Sequence, residues 1–225
     1  MDNAYIYHHL GLGDSIICNG LVRHFAKEHT KLNVFSKSHN VDTLKFMYRD
    51  EPNIEIVSIG GDSQVTTYLS TNPFDVLIKA GFENLWSSGK SFDMAFYIST
   101  GVDFEERWTG FKVERDTSRE NALYDRLNDG VDDYIFVHDD DRYKIDLEKI
   151  RKDLRIIKPD ISLTTNIFDY CYLIQKAKEV HTIESSFQFI IDSMALNSEN
   201  YVHRYPRYLS DIEKPVYKTV KTIFQ

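Results

Sequence analysis

Short apolar segments alternate with amphipathic segments along most of this chain, and that alternation limits the folds available to it. In the first half, residues that favour strands form runs at 4–8, 32–36, 54–59 and 76–80. In the second half they form runs at 134–138, 154–157 and 180–183. Helical patterns lie between the runs, as in Ile17, Leu21 and Phe25. Such alternation is typical of an α/β fold with parallel sheets covered by helices.

One charged segment, residues 99–129, interrupts the alternation and favours a helix only near residues 119–127. We therefore expect two small Rossmann-like lobes. The N-terminal lobe would comprise residues 1–118, with a connector from about residue 99, and the C-terminal lobe residues 119–225. A last helix is predicted to begin near Pro215, because proline is favoured in the first helical turn.

Composition narrows the function classes. The 225 residues include 27 Lys+Arg and 35 Asp+Glu, a formal net charge of −8. This balance disfavours a nucleic-acid partner, which needs a basic face, but permits a small basic pocket for one phosphorylated ligand.

Two cysteines, Cys18 and Cys171, cannot form a disulfide framework. No apolar run is long enough to span a membrane, and the N-terminus lacks a signal-peptide pattern, so we expect a cytoplasmic protein. The sequence does not indicate an oligomeric state.

The turn after the first predicted strand is the first candidate site. Gly11 and Gly13 would let the backbone approach a phosphate ligand, and the following helix start offers free N–H groups. Asp14 could cap that helix, accept a proton, or both. A dinucleotide-binding motif is disfavoured because position 16 is Ile16, not glycine. The second strand also ends without the acidic residue that would hold a ribose, which equally disfavours a methyltransferase.

Two stretches carry a resemblance to a known class. Residues 12–17 (LGDSII) followed by 21–25 (LVRHF) resemble the opening of the heptosyltransferase-type glycosyltransferases of the GT-B fold. Residues 180–187 (VHTIESSF) are similar to the turn that holds the donor diphosphate in GT-B enzymes, including fucosyltransferase-like ones. The resemblance implies a nucleotide-sugar donor on the second lobe and an acceptor hydroxyl, a glycan or another, on the first. It implies no further cofactor and a role in carbohydrate biosynthesis.

The same resemblance assigns roles around the first-lobe turn. The Gly-Asp aspartate of the family is the general base, which points to Asp14. His9, or its neighbour His8, is the reserve candidate for the base. Transfer would be metal-independent, with inversion expected from a single displacement, and the base must come within hydrogen-bond reach of the acceptor proton.

Donor-binding candidates follow two strands of the second lobe. Arg142 and Lys144 could bind phosphate, and His138 could hydrogen-bond a phosphate or the base. Ser185 and Ser186 would form a phosphate nest at a helix start, or simply cap it. Beside them, Glu184 could bind ribose hydroxyls. A solvated charged loop is the competing interpretation of residues 138–144.

Two alternative functions stay open at this point. An apolar strand that ends in three aspartates also resembles the Asp-x-Asp motif of GT-A glycosyltransferases, in which Asp139 and Asp141 would hold a divalent metal. This alternative leaves the turn at Gly11–Asp14 without a role. The second alternative is a non-catalytic protein that binds a nucleotide or a glycan. Metal dependence and turnover of nucleotide sugars would discriminate among the three.

Overall fold

The computed structural model describes residues 2–82, 90–205 and 214–224. The chain forms two compact units. Unit 1 comprises Met1–Glu114 and Tyr208–Val216, and unit 2 comprises Arg115–Arg207 and Tyr217–Gln225. Each unit contains one parallel sheet with helices, so the predicted α/β class with two Rossmann-like lobes is confirmed.

Four parallel strands form the sheet of unit 1. They are β1 (Asn3–Tyr7), β2 (Lys31–Lys37), β3 (Ile54–Ile59) and β4 (Val76–Lys79). The spatial order is β3-β2-β1-β4, so the chain builds outward from β1 and then returns past it to add β4. Tyr7 and Lys79 are paired where β1 and β4 end. Open α/β sheets bind ligands at this kind of switch point, outside the carboxyl ends of the strands.

The described α-helices of unit 1 are α1 (Leu12–Ile17), α2 (Asn19–Ala26), α3 (Val41–Met47), α4 (Ser63–Thr71), α5 (Phe92–Ile98) and α6 (Glu106–Thr109). The spacing of Ile17, Leu21 and Phe25 predicts one helix after the glycine turn, but the structure has two helices here, joined at Cys18. Because α1 begins at Leu12, Gly13 and Asp14 lie in its first turn and not in a loop. The helices α4, α5 and α6 were not predicted.

The core of unit 1 covers both faces of β1. On one face the rings of Tyr5 and Phe35 stack with centroids 5.3 Å apart, and Val65 of α4 packs against them. On the other face Ile6 and Val34, which are paired in register, are fully buried. Burial on both sides fixes the strand register, because a slip of one residue would turn every side chain to the opposite face.

A buried ion pair also lies in unit 1. Asp93 and Arg107 are both fully buried, and the guanidinium of Arg107 contacts Asp93 Oδ2. The backbone of Val216 joins this pair twice: its N–H donates to Asp93 Oδ2 at 2.9 Å, and its carbonyl accepts from Arg107 at 2.8 Å. The pair therefore holds a residue from the end of the chain against unit 1.

Unit 2 contains the strands β5 (Tyr134–His138), β6 (Arg155–Ile157), β7 (Glu179–Ile183), β8 (Asn200–His203) and β9 (Val220–Phe224). All are parallel, in the order β6-β5-β7-β8-β9. Its described α-helices are α7 (Thr117–Asn128), α8 (Cys171–Lys176) and α9 (Ser186–Met194). Here the switch point lies between β5 and β7, where His138 is paired with Thr182.

The prediction of a last helix near Pro215 is wrong. The described end of the chain instead forms strand β9, which pairs in parallel with β8 from Asn200 to His203. The carboxylate of Asp192 in α9 accepts from the N–H groups of Lys218 and Thr219, both at 2.8 Å, and so directs the chain into the sheet. An open edge at β8 therefore outweighs the local preference of proline for a helix start.

Candidate functional site

Asp14 lies at the carboxyl edge of the unit 1 sheet, one helical turn after Gly11. Gly11 is the N-cap of α1, with extended backbone at φ −69° and ψ 147°. The N–H of Gly11 hydrogen-bonds the Asp14 carboxylate, which resembles one half of a capping box. A Cβ atom at position 11 would lie 2.5 Å from Asp14 Oδ2. Glycine at this position therefore leaves room for the carboxylate to fold back.

Burial is the main influence on the ionisation of Asp14, and it raises the pKa of this carboxyl to about 6. The nearby His9, the N–H of Gly11 and Lys37 act in the opposite direction, while Asp62 adds to the rise. A carboxylate with a pKa near 6 is deprotonated at neutral pH and more basic than an ordinary aspartate. These properties suit a general base.

This pKa predicts an acid limb in any reaction that uses Asp14 as a base. The active form is the carboxylate, so kcat/KM should be constant above about pH 7 and fall tenfold per unit below about pH 6. The measurement is a pH profile of kcat/KM between pH 4.5 and 8.5. A profile without a limb near pH 6, or with an inflection at an ordinary aspartate value, would contradict the role of Asp14.

The two histidines after β1 have different environments. His8 is only 1% exposed, its Nδ1 lies 2.6 Å from the carbonyl of His9, and burial lowers its pKa to about 4. His9 is exposed, with its ring centroid 5.0 Å from that of Phe82 and 5.4 Å from that of Phe96. Of the two, His9 is therefore the one that a ligand can reach.

In unit 2 the order of the strands brings two predicted site residues together. His138 ends β5, Ser185 follows β7, and Ser185 Oγ lies 3.1 Å from His138 Nδ1. Burial lowers the pKa of His138 to about 4, so its imidazole is neutral at physiological pH. Ser185 is the N-cap of α9 and Ser186 its first residue, and both are partly exposed. The hydroxyl of Ser185 and the start of α9 thus lie beside one neutral imidazole.

Glu184 is buried in unit 2, and its role in binding ribose hydroxyls stays a prediction. Its Oε1 accepts from Arg204 Nε at 2.8 Å and from the hydroxyl of Tyr217 at 3.3 Å. These contacts join the end of β7 to the segments after β8 and before β9. Holding these segments is therefore the role that the contacts of Glu184 support.

The charged loop after β5 is organised by its own side chains. The Asp140 carboxylate accepts from the N–H groups of Arg142 and Tyr143, at 2.9 and 2.7 Å, which closes the turn. Lys144 Nζ lies 3.1 Å from Asp141, and the guanidinium of Arg142 lies over the ring of Tyr143. Arg142 and Lys144 are both exposed, and their phosphate-binding roles stay predictions.

The two aspartates of the alternative metal site have different partners. Asp139 accepts from Lys158 Nζ at 2.7 Å and from the N–H of Ile145 at 3.1 Å. Burial alone would raise the pKa of Asp139, but these two donors bring it below its usual range. Asp141 is exposed beside Lys144. Across residues 2–82, 90–205 and 214–224, no group of three or more His, Cys, Asp or Glu side chains is arranged to hold a metal ion.

A cavity of about 180 Å³ adjoins His138, and sequence reasoning did not identify it. Its wall includes Phe187, Tyr170 and Ile167, together with Thr164 and Thr165. Lys158 also lines it, at the carboxyl end of β6. The position of Lys158 after a predicted strand was the one signal available in the sequence, while the other wall residues come from segments that only the fold brings together.

The comparisons with known proteins concern the fold. The crystal structure of the glycosyl transferase family 9 from Veillonella parvula DSM 2008 matches 100% of this chain and 86% of its own, with a TM-score of 0.60 and 10% identity. The E. coli ADP-heptose LPS heptosyltransferase II matches 99% of this chain and 92% of its own, with a TM-score of 0.51 and 9% identity. The chain has a GT-B-like fold.

This result confirms the resemblance inferred from residues 12–25 and 180–187 at the level of fold. No protein-family model matches the chain, and no curated protein matches it in sequence. In the described residues, no helix combines the length and apolar character needed to cross a membrane.

Proposed function

We propose that this protein is a glycosyltransferase that moves a sugar from a nucleotide-activated donor to an acceptor hydroxyl. One observation carries the proposal: a half-buried carboxylate with a pKa of about 6, Asp14, lies at the switch point of a lobe with this fold. Solved structures with the same fold are named as glycosyl transferases, and we extend that activity to this chain by analogy.

Unit 2 binds the donor in this proposal. The nucleobase occupies the cavity beside Tyr170 and Ile167, and the diphosphate reaches Ser185, Ser186 and the start of α9. Neutral His138 and the two hydroxyls act as hydrogen-bond partners, and Lys158 supplies the positive charge. Groups that are already in place around the leaving diphosphate stabilise the charge that develops on it during transfer. Cations of the 138–144 loop, Arg142 and Lys144, remain candidates for a second set of contacts.

Unit 1 binds the acceptor in this proposal. Asp14 accepts the proton of the attacking hydroxyl, the oxygen attacks the anomeric carbon of the donor, and the bond to the diphosphate breaks. A single displacement of this kind inverts the anomeric configuration. Because Lys158 and the hydroxyls would stabilise the leaving group, we propose that no divalent metal is required, and that activity persists in EDTA.

Nucleotide binding tests the donor half of the proposal. Ser185→Ala removes a hydroxyl from the start of α9 and should weaken binding of nucleoside diphosphates by roughly tenfold, because hydrogen bonds to charged groups contribute about 1.5–3 kcal/mol. Calorimetry with UDP, GDP and ADP measures this. The matched control is Ser193→Ala, the same change in the last turn of α9, which should bind like the parent. If the parent bound no nucleoside diphosphate, the enzyme proposal would be wrong.

A further inference from the structure

Three aromatic side chains meet at the switch point of unit 1, where Phe82 and His9 are exposed and Tyr7 is partly exposed. Phe82 follows β4, and its ring centroid lies 4.4 Å from that of Tyr7 and 5.0 Å from that of His9. Tyr7 ends β1, and His9 follows it. Behind them lies Phe96, which is 1% exposed and contacts the ring of His9. We call Tyr7, His9 and Phe82 the aromatic shelf.

The aromatic shelf is open to solvent. Phe82 is 44% exposed, which is a large fraction for a phenylalanine side chain. Phe74, at the other end of β4, is similarly exposed at 39%, but its ring contacts Tyr5 and not the shelf residues. Exposure alone is therefore ordinary for this strand. The distinctive feature is the position of Phe82, which joins two further rings at the ligand-binding edge of the sheet.

Polar groups border the aromatic shelf. The hydroxyl of Tyr7 donates to Asp62 Oδ1 at 3.0 Å, and Asp62 is exposed. Asp62, His9 and Lys37 all lie close enough to Asp14 to affect its pKa electrostatically. The shelf thus combines an apolar aromatic surface with carboxylate acceptors and an ammonium donor within one small area.

We propose that the aromatic shelf binds the acceptor, and that the acceptor is a carbohydrate whose pyranose ring packs on Phe82 and Tyr7. A pyranose has one face made of C–H groups, which can cover an aromatic ring, and hydroxyls around its edge, which need hydrogen-bond partners. Asp62 would accept from hydroxyls at one side of the ring, and Asp14 would face the hydroxyl that attacks. Since the shelf serves an acceptor only if the protein transfers a sugar, this role rests on the proposed function.

This arrangement favours a sugar ring over a purely apolar alcohol. A lipid or aryl alcohol would cover the rings, but its single hydroxyl could donate to only one of the two carboxylates. With that hydroxyl at Asp14, Asp62 would keep only the hydroxyl of Tyr7 as a donor. Binding sites of this kind join an apolar surface to a few convergent polar groups that set the orientation of the ligand. The residues that distinguish the two occupants are therefore those at the border of the shelf.

The test compares Phe82, which follows β4, with Phe74, which precedes it. Saturation-transfer NMR is recorded with the methyl glycosides of glucose, galactose, mannose and N-acetylglucosamine, and with benzyl alcohol as the apolar comparison. Wild-type protein should transfer saturation to the ring C–H protons of at least one glycoside. The Phe82→Ala variant should bind that glycoside about tenfold more weakly than the parent, while the Phe74→Ala variant should bind it with the parental affinity.

Three outcomes would overturn this role of the shelf: no glycoside binds, Phe82→Ala and Phe74→Ala bind the glycoside equally, or benzyl alcohol alone binds in a Phe82-dependent way. Calorimetry with UDP, GDP and ADP on the same samples distinguishes a failure of the shelf proposal from a failure of the proposed function. If Phe82→Ala loses glycoside binding but keeps nucleotide binding, the aromatic shelf is the glycoside-binding surface. Absence of nucleotide binding in the wild type contradicts the glycosyltransferase proposal, whatever the glycosides show.

Discussion

Asp14→Asn should lower kcat/KM for sugar transfer by about 10²–10⁴ while leaving the affinity for nucleoside diphosphates unchanged. Asparagine has almost the same shape and can still accept from the N–H of Gly11, so the first turn of α1 should be preserved. It cannot accept a proton from the acceptor hydroxyl. The expected loss is therefore in turnover, because the donor site belongs to other residues.

The control for this experiment is Asp42→Asn. Asp42 is an exposed carboxylate in the first turn of α3, so the substitution makes the same chemical change at a comparable helix position. Its turnover should match that of the parent. If Asp14→Asn turned over substrate at the parental rate, Asp14 would not be the base, and exposed His9 would become the residue to test next.

Asp93→Asn should lower the free energy of unfolding of the protein by about 3–5 kcal/mol. The change leaves the guanidinium of Arg107 buried without its carboxylate partner, and burying an uncompensated charge is costly. It also weakens the acceptor of the Val216 N–H, which lies 2.9 Å from Asp93 Oδ2. Urea unfolding followed by circular dichroism gives this free energy.

An exposed ion pair provides the comparison for Asp93. Glu148 and Lys152 form a pair on the surface, with their side chains 78% and 66% exposed. Glu148→Gln should change the free energy of unfolding by less than about 1 kcal/mol, because solvent screens such pairs. Equal small effects of Asp93→Asn and Glu148→Gln would show that the buried pair does not stabilise unit 1 in the way its geometry indicates.

The strands that build both sheets could be predicted because their apolar residues are contiguous. The run at 134–138 and the strand β5 coincide, as do the run at 54–59 and β3. Helix α5 was missed because its sequence, FDMAFYI, is apolar nearly all round and shows no clear polar face. Strand β9 was missed for another reason: it depends on the open edge of β8, which is far away in the sequence.

The candidate site could be predicted only where the local sequence around a single residue indicates its position. Asp14 follows a strand and a glycine, so its position could be read locally. The approach of Ser185 to His138 depends on β5 and β7 being neighbours, and the sequence places these residues 47 positions apart. Arg107 illustrates the opposite case: it lies in the charged segment 99–129, for which no core residue was predicted, yet its side chain is fully buried against Asp93.

Release of nucleoside diphosphate from nucleotide sugars tests the central claim most directly. UDP-, GDP- and ADP-sugars are each incubated with the protein and a panel of glycosides, with Mn²⁺ or with EDTA, and compared with Asp14→Asn. We predict release from one donor that depends on a glycoside, persists in EDTA and is lost in Asp14→Asn. Binding of a nucleotide without release from any donor would contradict the account and identify a non-catalytic binding protein.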